Sequence, residues 1–390
     1  MTDARPTPAP SNASDADDRR ADQGRARRRP VELAVVVPTY NERDNIQPLY
    51  ELLCAALGDV QWEMVVVDDD SPDGTAALIR DMSQKNANVR VLQRLGRRGL
   101  STAVIEGMLA TSAQYLAVID ADMQHDETKL AEMLRILRSG EVDIAVGSRF
   151  VDGGGVGDWA ADRVQMSRIA TRVAKLVLKS DLSDPMSGFF MIRRDAFEEA
   201  MRNLSGEGYK ILLDIFASSK TPLRFREVPY RFRNRVHGES KVDTLVLWEY
   251  LALIVDKLFG KYVPARLILF SMIGASGVVV HFAAFSLSFF AASLSFLAAQ
   301  TIATFVAMTT NYTINNILTY RDKRRKGASF VTGLLAFYLI CGIGVVGNVG
   351  VSNALYNRDV KWWLATIAGI AIGVIWNYSA SSIFIWDKKR

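Results

Sequence analysis

Apolar positions fall into two regimes along this chain. From Leu33 to about residue 150 they form short runs separated by longer polar stretches; beyond Arg266 they form four long runs with little interruption. LAVVVP (33–38), EMVVVD (63–68), VRVLQR (89–94), YLAVID (115–120) and DIAVGSRF (143–150) are short, apolar and bounded by turn residues, so they read as buried strands. Arg43 to Leu57, Thr75 to Lys85, Leu100 to Thr111 and Thr128 to Arg138 read as the helices between them. This alternation predicts an α/β domain with a doubly wound, mostly parallel sheet. The strand ends carry polar or acidic residues, and ligands bind at that edge of open α/β sheets.

The runs at about 266–290, 294–318, 330–356 and 362–386 can each cross a hydrocarbon core of roughly 30 Å. The connection TYRDKRRKGAS (319–329) is strongly basic and the chain ends in DKKR. The positive-inside tendency then puts that connection, the C-terminus and residues 1–265 in the cytoplasm, and four crossings make these placements consistent. Trp362, Trp363 and Trp386 are expected as interfacial aromatics at span ends. NYTINNILTYRDK (311–323) aligns without gaps with NYSASSIFIWDKK (377–389), which suggests two similar helical hairpins. Asn311, Asn315, Asn316 and Asn377 should face other helices, with a path for a lipid-linked sugar as the minority reading. VDTLVLWEYLALIVDKLFGKY (242–262) is interrupted by Glu249, Asp256 and Lys257, so one or two amphipathic helices at the membrane surface are expected. Residues 1–30 lack large apolar side chains and are expected to be disordered; without an apolar h-region they are not a secretory signal. The expected organisation is a tail (1–30), an α/β domain (31–241), juxtamembrane helices (242–263) and a four-helix transmembrane domain (264–390).

Charge sharpens this picture. The net charge is +5, with basic clusters at Arg25–Arg29, Arg321–Lys326 and Lys388–Arg390. The last two follow apolar runs, which points to anionic membrane lipids; no recognition helix argues for nucleic acid. Cys54 and Cys341 offer neither a disulfide framework nor a zinc site, and are expected to be buried small hydrophobes.

The chemistry concentrates at acidic strand ends. Asp120 and Asp122, with Gln124 nearby, suit a hard divalent cation, Mg²⁺ or Mn²⁺, that completes its shell with water and substrate phosphates. Asp68, Asp69 and Asp70 could bind ribose hydroxyls or a base edge; capping and turn formation by Asp70, Ser71 and Asp73 is the structural alternative. No glycine-rich P-loop is present, so phosphates would be held by metal and basic residues.

VVVPTYNE (35–42), VVVDDDSPDGT (65–75), IDADMQH (119–125), GSRFVDGG (147–154), DPMSGFF (184–190) and HGESK (237–241) together resemble the dolichyl-phosphate mannose synthases, family 2 glycosyltransferases with a GT-A (Rossmann-like) fold. The resemblance covers roughly residues 33–245, and the four spans resemble the GtrA-like membrane domain. It implies that Pro38, Tyr40, Glu42, Val67 and Asp69 hold the nucleotide, together with Asp120, Ala121, Asp122 and Gln124. It implies that Asp120, Asp122 and Gln124 carry the metal, and that Arg235 and Lys241 reach the donor phosphates. Arg149, Arg163 and Ser167 would bind the acceptor phosphate and act catalytically with Asp122; a surface salt bridge is the alternative for the two arginines. The chain departs from the family pattern at Met123 (for Leu), Asp126 (for Pro), Ser101 (for Gly) and Asp70 (for Asn).

The implied reaction moves mannose from GDP-mannose to dolichyl or polyprenyl phosphate with inversion, in a prokaryotic plasma membrane. A phosphate with a second pKa of about 6 is already an ionised nucleophile, so no histidine base is needed. His125 would then orient the site, His237 touch phosphate and His281 pack within a span. A UDP-glucose or other UDP-sugar donor is the alternative within this class. A processive polysaccharide synthase is disfavoured because no Gln-x-x-Arg-Trp stands here. Flipping of a lipid-linked sugar by the spans is an alternative of another class, and an inactive scaffold is opposed by the intact site residues. The oligomeric state is open.

Overall fold

The computed structural model describes residues 30–157, 161–206, 208–233 and 244–387, with the backbone alone at 161–164 and 244–246. The Arg25–Arg29 cluster, Arg235, His237, Lys241 and Lys388–Arg390 lie outside the described residues. By its contacts the chain forms two compact units. One is drawn from the described residues of Met1–Ser167, Leu182–Arg202 and Ser219–Gly238, the other from those of Arg168–Asp181, Asn203–Ser218 and Glu239–Arg390.

The first unit is built on a seven-stranded sheet. Its strands are β1 (Leu33–Thr39), β2 (Trp62–Asp68), β3 (Val89–Gln93), β4 (Tyr115–Val118), β5 (Ile144–Ser148), β6 (Phe190–Arg193) and β7 (Phe225–Pro229), in the order β3-β2-β1-β4-β6-β5-β7. Between them lie α1 (Arg43–Leu57), α2 (Thr75–Lys85), α3 (Leu100–Leu109) and α4 (Lys129–Arg138), then α5 (Ala161–Ala174), whose last turns belong to the second unit, and α6 (Arg194–Met201). Every residue of β1 and β2 is buried, so both faces of the sheet need a cover. Ile46, Leu49 and Leu53 of α1, Ile79 of α2 and Leu130 and Met133 of α4 share a core with Val35, Val37, Met64 and Val66. On the other face α3 comes so close that a Cβ on Gly107 would stand 2.5 Å from Val36 and 2.8 Å from Val67. Each fully buried Val or Leu contributes about 1.5–3 kcal/mol.

The expected parallel strands are all present, but the sheet is mixed. β6 runs antiparallel to both β4 and β5, and β7 pairs in parallel with β5. FMIR and FREVP are only four and five residues long and FREVP carries two charges, which is why periodicity does not announce them. The consequence is simple. Except for β6, all strands point the same way, so the ends of β1, β2, β4 and β5 share one edge. The chain runs outward from β1 to β3 and then returns to β4 on the other side of β1. That reversal between β1 and β4 is the topological switch point, where such sheets open a crevice.

The second unit contains α7 (Ile211–Ser218), α8 (Thr244–Phe259), α9 (Ala265–Ser286, continued by a π turn at Leu287–Ala291), α10 (Phe296–Ile317), α11 (Ala328–Tyr356) and α12 (Trp362–Phe384). Three segments are long and apolar enough to cross a membrane: Ala265–Ala291, Ala328–Tyr356 and Trp362–Phe384. The fourth expected span, α10, has the length but carries Gln, Thr and Asn along it. Its threonines spend that polarity inside the helix: Thr301, Thr304, Thr309, Thr310 and Thr313 each donate to the carbonyl four residues earlier.

The expected hairpin repeat has a structural counterpart. A Cβ on Gly277 of α9 would meet Asn311 of α10 at 2.6 Å, and Gly344 of α11 lies in the same way against Asn377 of α12. At the hairpin ends the two repeats exchange partners. The Tyr320 hydroxyl and Ser382 Oγ are 2.6 Å apart, while Trp386 Nε1 donates to Asn316 Oδ1 at 3.1 Å. The Tyr320 and Trp386 rings stack with centroids 3.9 Å apart. Trp386 is therefore buried at 1% exposure and is not the interfacial aromatic expected of it; its indole N–H is used on Asn316 instead of the headgroup region. Trp362 and Trp363 are exposed at the other end of α12, as expected.

The juxtamembrane segment is one helix, α8. Its charges are paired: Lys257 Nζ lies 2.7 Å from Asp214 Oδ1 of α7, and Glu249 pairs with Arg321. Cys341 is buried, but Cys54 is exposed, because the buried face of α1 passes through Leu49, Leu53 and Leu57 instead.

Candidate active site

The site forms where β1, β2, β4 and β5 end. Backbone strain marks it. Asn41, Asp70 and Met123 follow three of these strands, and each has φ near +58° or +59°. Asn and Asp tolerate that left-handed conformation; Met pays for it, and such costs gather at functional sites. The turns are then locked by side chains. Asp68 accepts from Ser71 N and Ser71 Oγ, Ser71 Oγ accepts from Asn41 N, and Asp73 accepts from Arg43 N and Thr75 N.

Asp69 sits beneath this edge. Its backbone N–H donates to Thr39 O, its Oδ2 accepts from Gly99 N at 2.7 Å, and Arg94 Nη1 lies 3.0 Å from Oδ1. Burial raises its carboxyl above the ordinary value, against the lowering by the Gly99 N–H and the Arg94 charge. Asp70 instead accepts from Gln93 and Gly96 and ties β3 to the turn. Pro38 and Val67 are buried, with Val67 O accepting from Thr39 Oγ1. Glu42 Oε2 accepts from Asn45 Nδ2. The Tyr40 ring lies 4.1 Å beneath the Arg98 guanidinium, a flat cationic platform that spacing did not foresee. Only the basic run after β3 hints at it.

Asp120 and Asp122 stand just beyond β4. Asp122 is buried and its Oδ1 accepts from Gln124 N, while Ala121 is packed inside. Asp120 Oδ2 lies 3.1 Å from His125 Nε2, and His125 Nδ1 lies 2.9 Å from the Tyr230 hydroxyl. Burial pushes the Tyr230 hydroxyl far up, so it stays protonated. Nε2–H donates to the Asp120 carboxylate, and Nδ1 is hydrogen-bonded with the Tyr230 hydroxyl. The ring is further held between Phe189, Tyr230 and Phe232. His125 is thus built to orient a carboxylate. Gly188 must be small, since a Cβ there would stand 3.1 Å from Asp120 Oδ2.

Gln124 reaches across to the strand-end segment after β7. Its side-chain Nε2 donates to Arg233 O, and its backbone carbonyl accepts from Arg233 N. Arg233 in turn pairs with Glu127 and Asp126. Asp126, where the family pattern has Pro, also caps α4 through Thr128. Oxygens of Asp120 and Asp122 with an amide oxygen on Gln124 are the hard donor set that Mg²⁺ or Mn²⁺ takes. Among the described residues no cluster of three or more His, Cys, Asp or Glu side chains could hold a metal alone. A substrate phosphate would have to share it.

Arg149 begins the loop after β5, on the same edge. It is not a surface salt bridge. Its Nε and Nη2 each lie 2.7 Å from an oxygen of Asp184, and its backbone N–H donates to the same carboxylate. Burial pulls its pKa down, but the Asp184 bonds and charge more than offset that and hold it above the ordinary value. The guanidinium carbon lies 5.4 Å from the Phe232 ring, which also packs on His125. The structure therefore brings Arg149 to the aromatic cluster that supports Asp120. Arg163 is a backbone position in α5 with its side chain outside the description, and Ser167 lies one turn further along. Sequence reading missed the roles of Asp184, Gly188, Tyr230, Arg233 and Arg98. The first two lie in a matched motif and Arg98 in the basic run after β3; Tyr230 and Arg233 carry no local signal.

Comparison with known proteins places these features. Residues 34–201 match the glycosyl transferase family 2 family, and residues 269–386 match the family described as GtrA/DPMS, transmembrane domain. The chain is 33% identical over 358 residues to the dolichol-phosphate mannosyltransferase of Pyrococcus furiosus, covering 91% of this chain and 99% of that one. It is 33% identical over 249 residues to the Saccharomyces cerevisiae dolichol-phosphate mannosyltransferase, covering 62% and 92%. A solved structure of Mycobacterium tuberculosis glucosyl-3-phosphoglycerate synthase, in complex with Mn²⁺, UDP and glucosyl-3-phosphoglycerate, aligns with TM-score 0.43 and 18% identity over 64% of this chain and 86% of that one. With a strand-end acidic site in its α/β unit, apolar helices after it and this likeness along nearly its whole length, the chain belongs to the dolichol-phosphate mannosyltransferases, family 2 glycosyltransferases that carry a GtrA/DPMS transmembrane domain.

Proposed function

We propose that this chain transfers mannose from GDP-mannose to a dolichyl or polyprenyl phosphate, with inversion at the anomeric carbon, on a GT-A-like fold. The carrying observation is Asp120-x-Asp122 at the β1/β4 switch point, held by His125 and Tyr230, in a chain so similar to a dolichol-phosphate mannosyltransferase.

The donor's nucleotide lies along the β1 and β2 ends, against Pro38, Tyr40, Glu42, Val67 and Asp69, with the base stacked near Tyr40 and Arg98. Asp120, Asp122 and Gln124, with Ala121 between the two carboxylates in sequence, would hold a divalent ion, which when bound would supply positive charge to offset that on the leaving diphosphate. Arg235 and Lys241 reach the donor phosphates. Arg149, aligned by Asp184, would bind the acceptor phosphate together with Arg163 and Ser167. The acceptor is dianionic near neutral pH, so its oxygen attacks without a protein base. His125, with both ring nitrogens committed, positions Asp120 and moves no proton. In the membrane unit α9–α12 supply four crossings, α8 lies at the bilayer surface, and the α/β unit works in the cytoplasm.

The test uses purified full-length protein, radiolabelled GDP-mannose and a short polyprenyl phosphate, with Mn²⁺ or Mg²⁺. Asp122→Ala is expected to lose about 100-fold or more in rate while its melting temperature stays near that of the parent. A variant that turns over at the parental rate rejects the metal-site reading. Transfer from UDP-glucose in place of GDP-mannose rejects the donor.

A further inference from the structure

A cavity of about 580 Å³ lies at the membrane-unit end where α12 finishes and α11 begins. Lys323, Arg324, Arg325, Ser329, Phe384 and Asp387 line it. Its size is ordinary for a ligand site. Its charge is not, because three cations meet one carboxylate.

These cations are not spent on neighbours. In the preceding residues Arg321 pairs with Glu249 and Asp322 with Arg266. Lys323 and Arg324 make no ion pair and no side-chain hydrogen bond among the described residues. Arg325 is held from behind. Its backbone N–H donates to Asn316 Oδ1 at 2.9 Å, its carbonyl accepts from Asn316 Nδ2 at 3.0 Å, and its Nε donates to Ile385 O. Its terminal nitrogens make no hydrogen bond among the described residues. Asn316 is itself fixed by Trp386, and both are 1% exposed. A half-buried guanidinium is therefore aimed by a rigid, buried amide–indole frame. Ile383 and Phe384, exposed at 59% and 71%, add an apolar wall at the end of a span.

We propose that this cavity binds the phosphate headgroup of a membrane lipid, with its acyl or prenyl chain running along the apolar end of α12. The cation excess matches a phosphate monoester, which carries about −1.5 to −2 charges at neutral pH, better than a diester. Arginine and lysine donors give charge-assisted bonds to such oxygens. The site is additional to the acceptor-phosphate residues around Arg149. It requires the helices to lie in a bilayer, but not the proposed donor or reaction, so the two readings can fail separately.

The test places the full chain in lipid nanodiscs with a photoactivatable polyprenyl monophosphate, phosphatidylglycerol or phosphatidylcholine, and maps the labelled peptides. The monophosphate is expected to label peptides holding residues 323–329 or 383–387 most strongly. Phosphatidylglycerol should follow, and zwitterionic phosphatidylcholine should label about tenfold less. Lys323→Gln with Arg324→Gln should cut anionic-lipid labelling there about tenfold, the loss of one to two charge-assisted bonds, with an unchanged melting temperature. Equal labelling by phosphatidylcholine, or labelling untouched by the double variant, overturns the proposal. Loss of labelling in millimolar inorganic phosphate would make this a site for the free anion and also overturn it. Stronger labelling by phosphatidylglycerol than by the monophosphate overturns the monoester preference. Mannosyl transfer measured on the same samples reports separately on the catalytic reading.

Discussion

Asp120 is held by a chain of two bonds, from the Tyr230 hydroxyl through His125 to its Oδ2. Partners of this kind usually tune metal affinity 10- to 100-fold. Tyr230→Phe removes the hydroxyl bonded to Nδ1 and loosens the imidazole. Its half-saturating Mn²⁺ concentration is expected to rise about tenfold, read from a metal titration of initial rates, with maximal rate much less affected. An unchanged requirement would show that the hydroxyl does not govern Asp120. The carboxylates themselves were legible, because a strand run ending in two acids is a local pattern. Tyr230 was not: it stands 105 residues from His125, and only the sheet brings them together. Asp184 was visible as part of a motif, but its bidentate grip on Arg149 depends on the long connection between β5 and β6, which carries α5. Met123 differs little in volume from the Leu of the family pattern. Its left-handed backbone adds a conformational cost that volume does not measure.

Helix ends carry the next level of control. Asp73, just before α2, accepts from Thr75 and Arg43. Partial burial pushes its carboxyl up, but these bonds prevail and leave it below the ordinary value. The lowered value stabilises the fold fully above the unfolded value of about 3.9, and the contribution fades as pH falls through the folded one. Asp73→Asn should therefore lower the melting temperature near neutrality and flatten its decline below about pH 4, which a melting series across pH 3–7 will show. In α8, Lys257 bonds Asp214, Ser218 and the Asn203 carbonyl. Asp214 is fully buried. Lys257→Ala strands that charge and should cost about 3 kcal/mol or more, seen as a lower detergent melting temperature; a change within error would show that the hydroxyls of Ser205 and Ser218, which donate to Asp214, suffice. Glu249 and Lys257, two of the charges that made residues 242–262 a poor span, are thus pairing groups. The parallel strands and their helices were legible from run length and alternation. β6 and β7 were not, since a four- or five-residue strand in mixed pairing leaves no period to read.

Across the whole molecule, α10 decides how many times the chain crosses the bilayer. Its mean composition is too polar for a span, yet its threonines return their hydroxyls to their own backbone. With four crossings, single cysteines at Lys326 and Asp387 react with an impermeant maleimide from the same side as the native exposed Cys54, once Cys54 is replaced in the test variants. Reaction of both from the side opposite Cys54 in sealed vesicles would remove α10 from the bilayer. The repeat was legible as an alignment, but the exchange of partners between Tyr320 and Trp386 was not, because it needs both hairpins in place. That exchange has a consequence for biogenesis. Trp386 is translated seventy residues after the Asn316 it bonds, so the first hairpin leaves the ribosome with its end unfinished. Its polar side chains must wait in the translocon or bilayer until the last turn of α12 arrives. Fusion tags or truncations close to Trp386 should therefore disturb insertion of a hairpin made long before them.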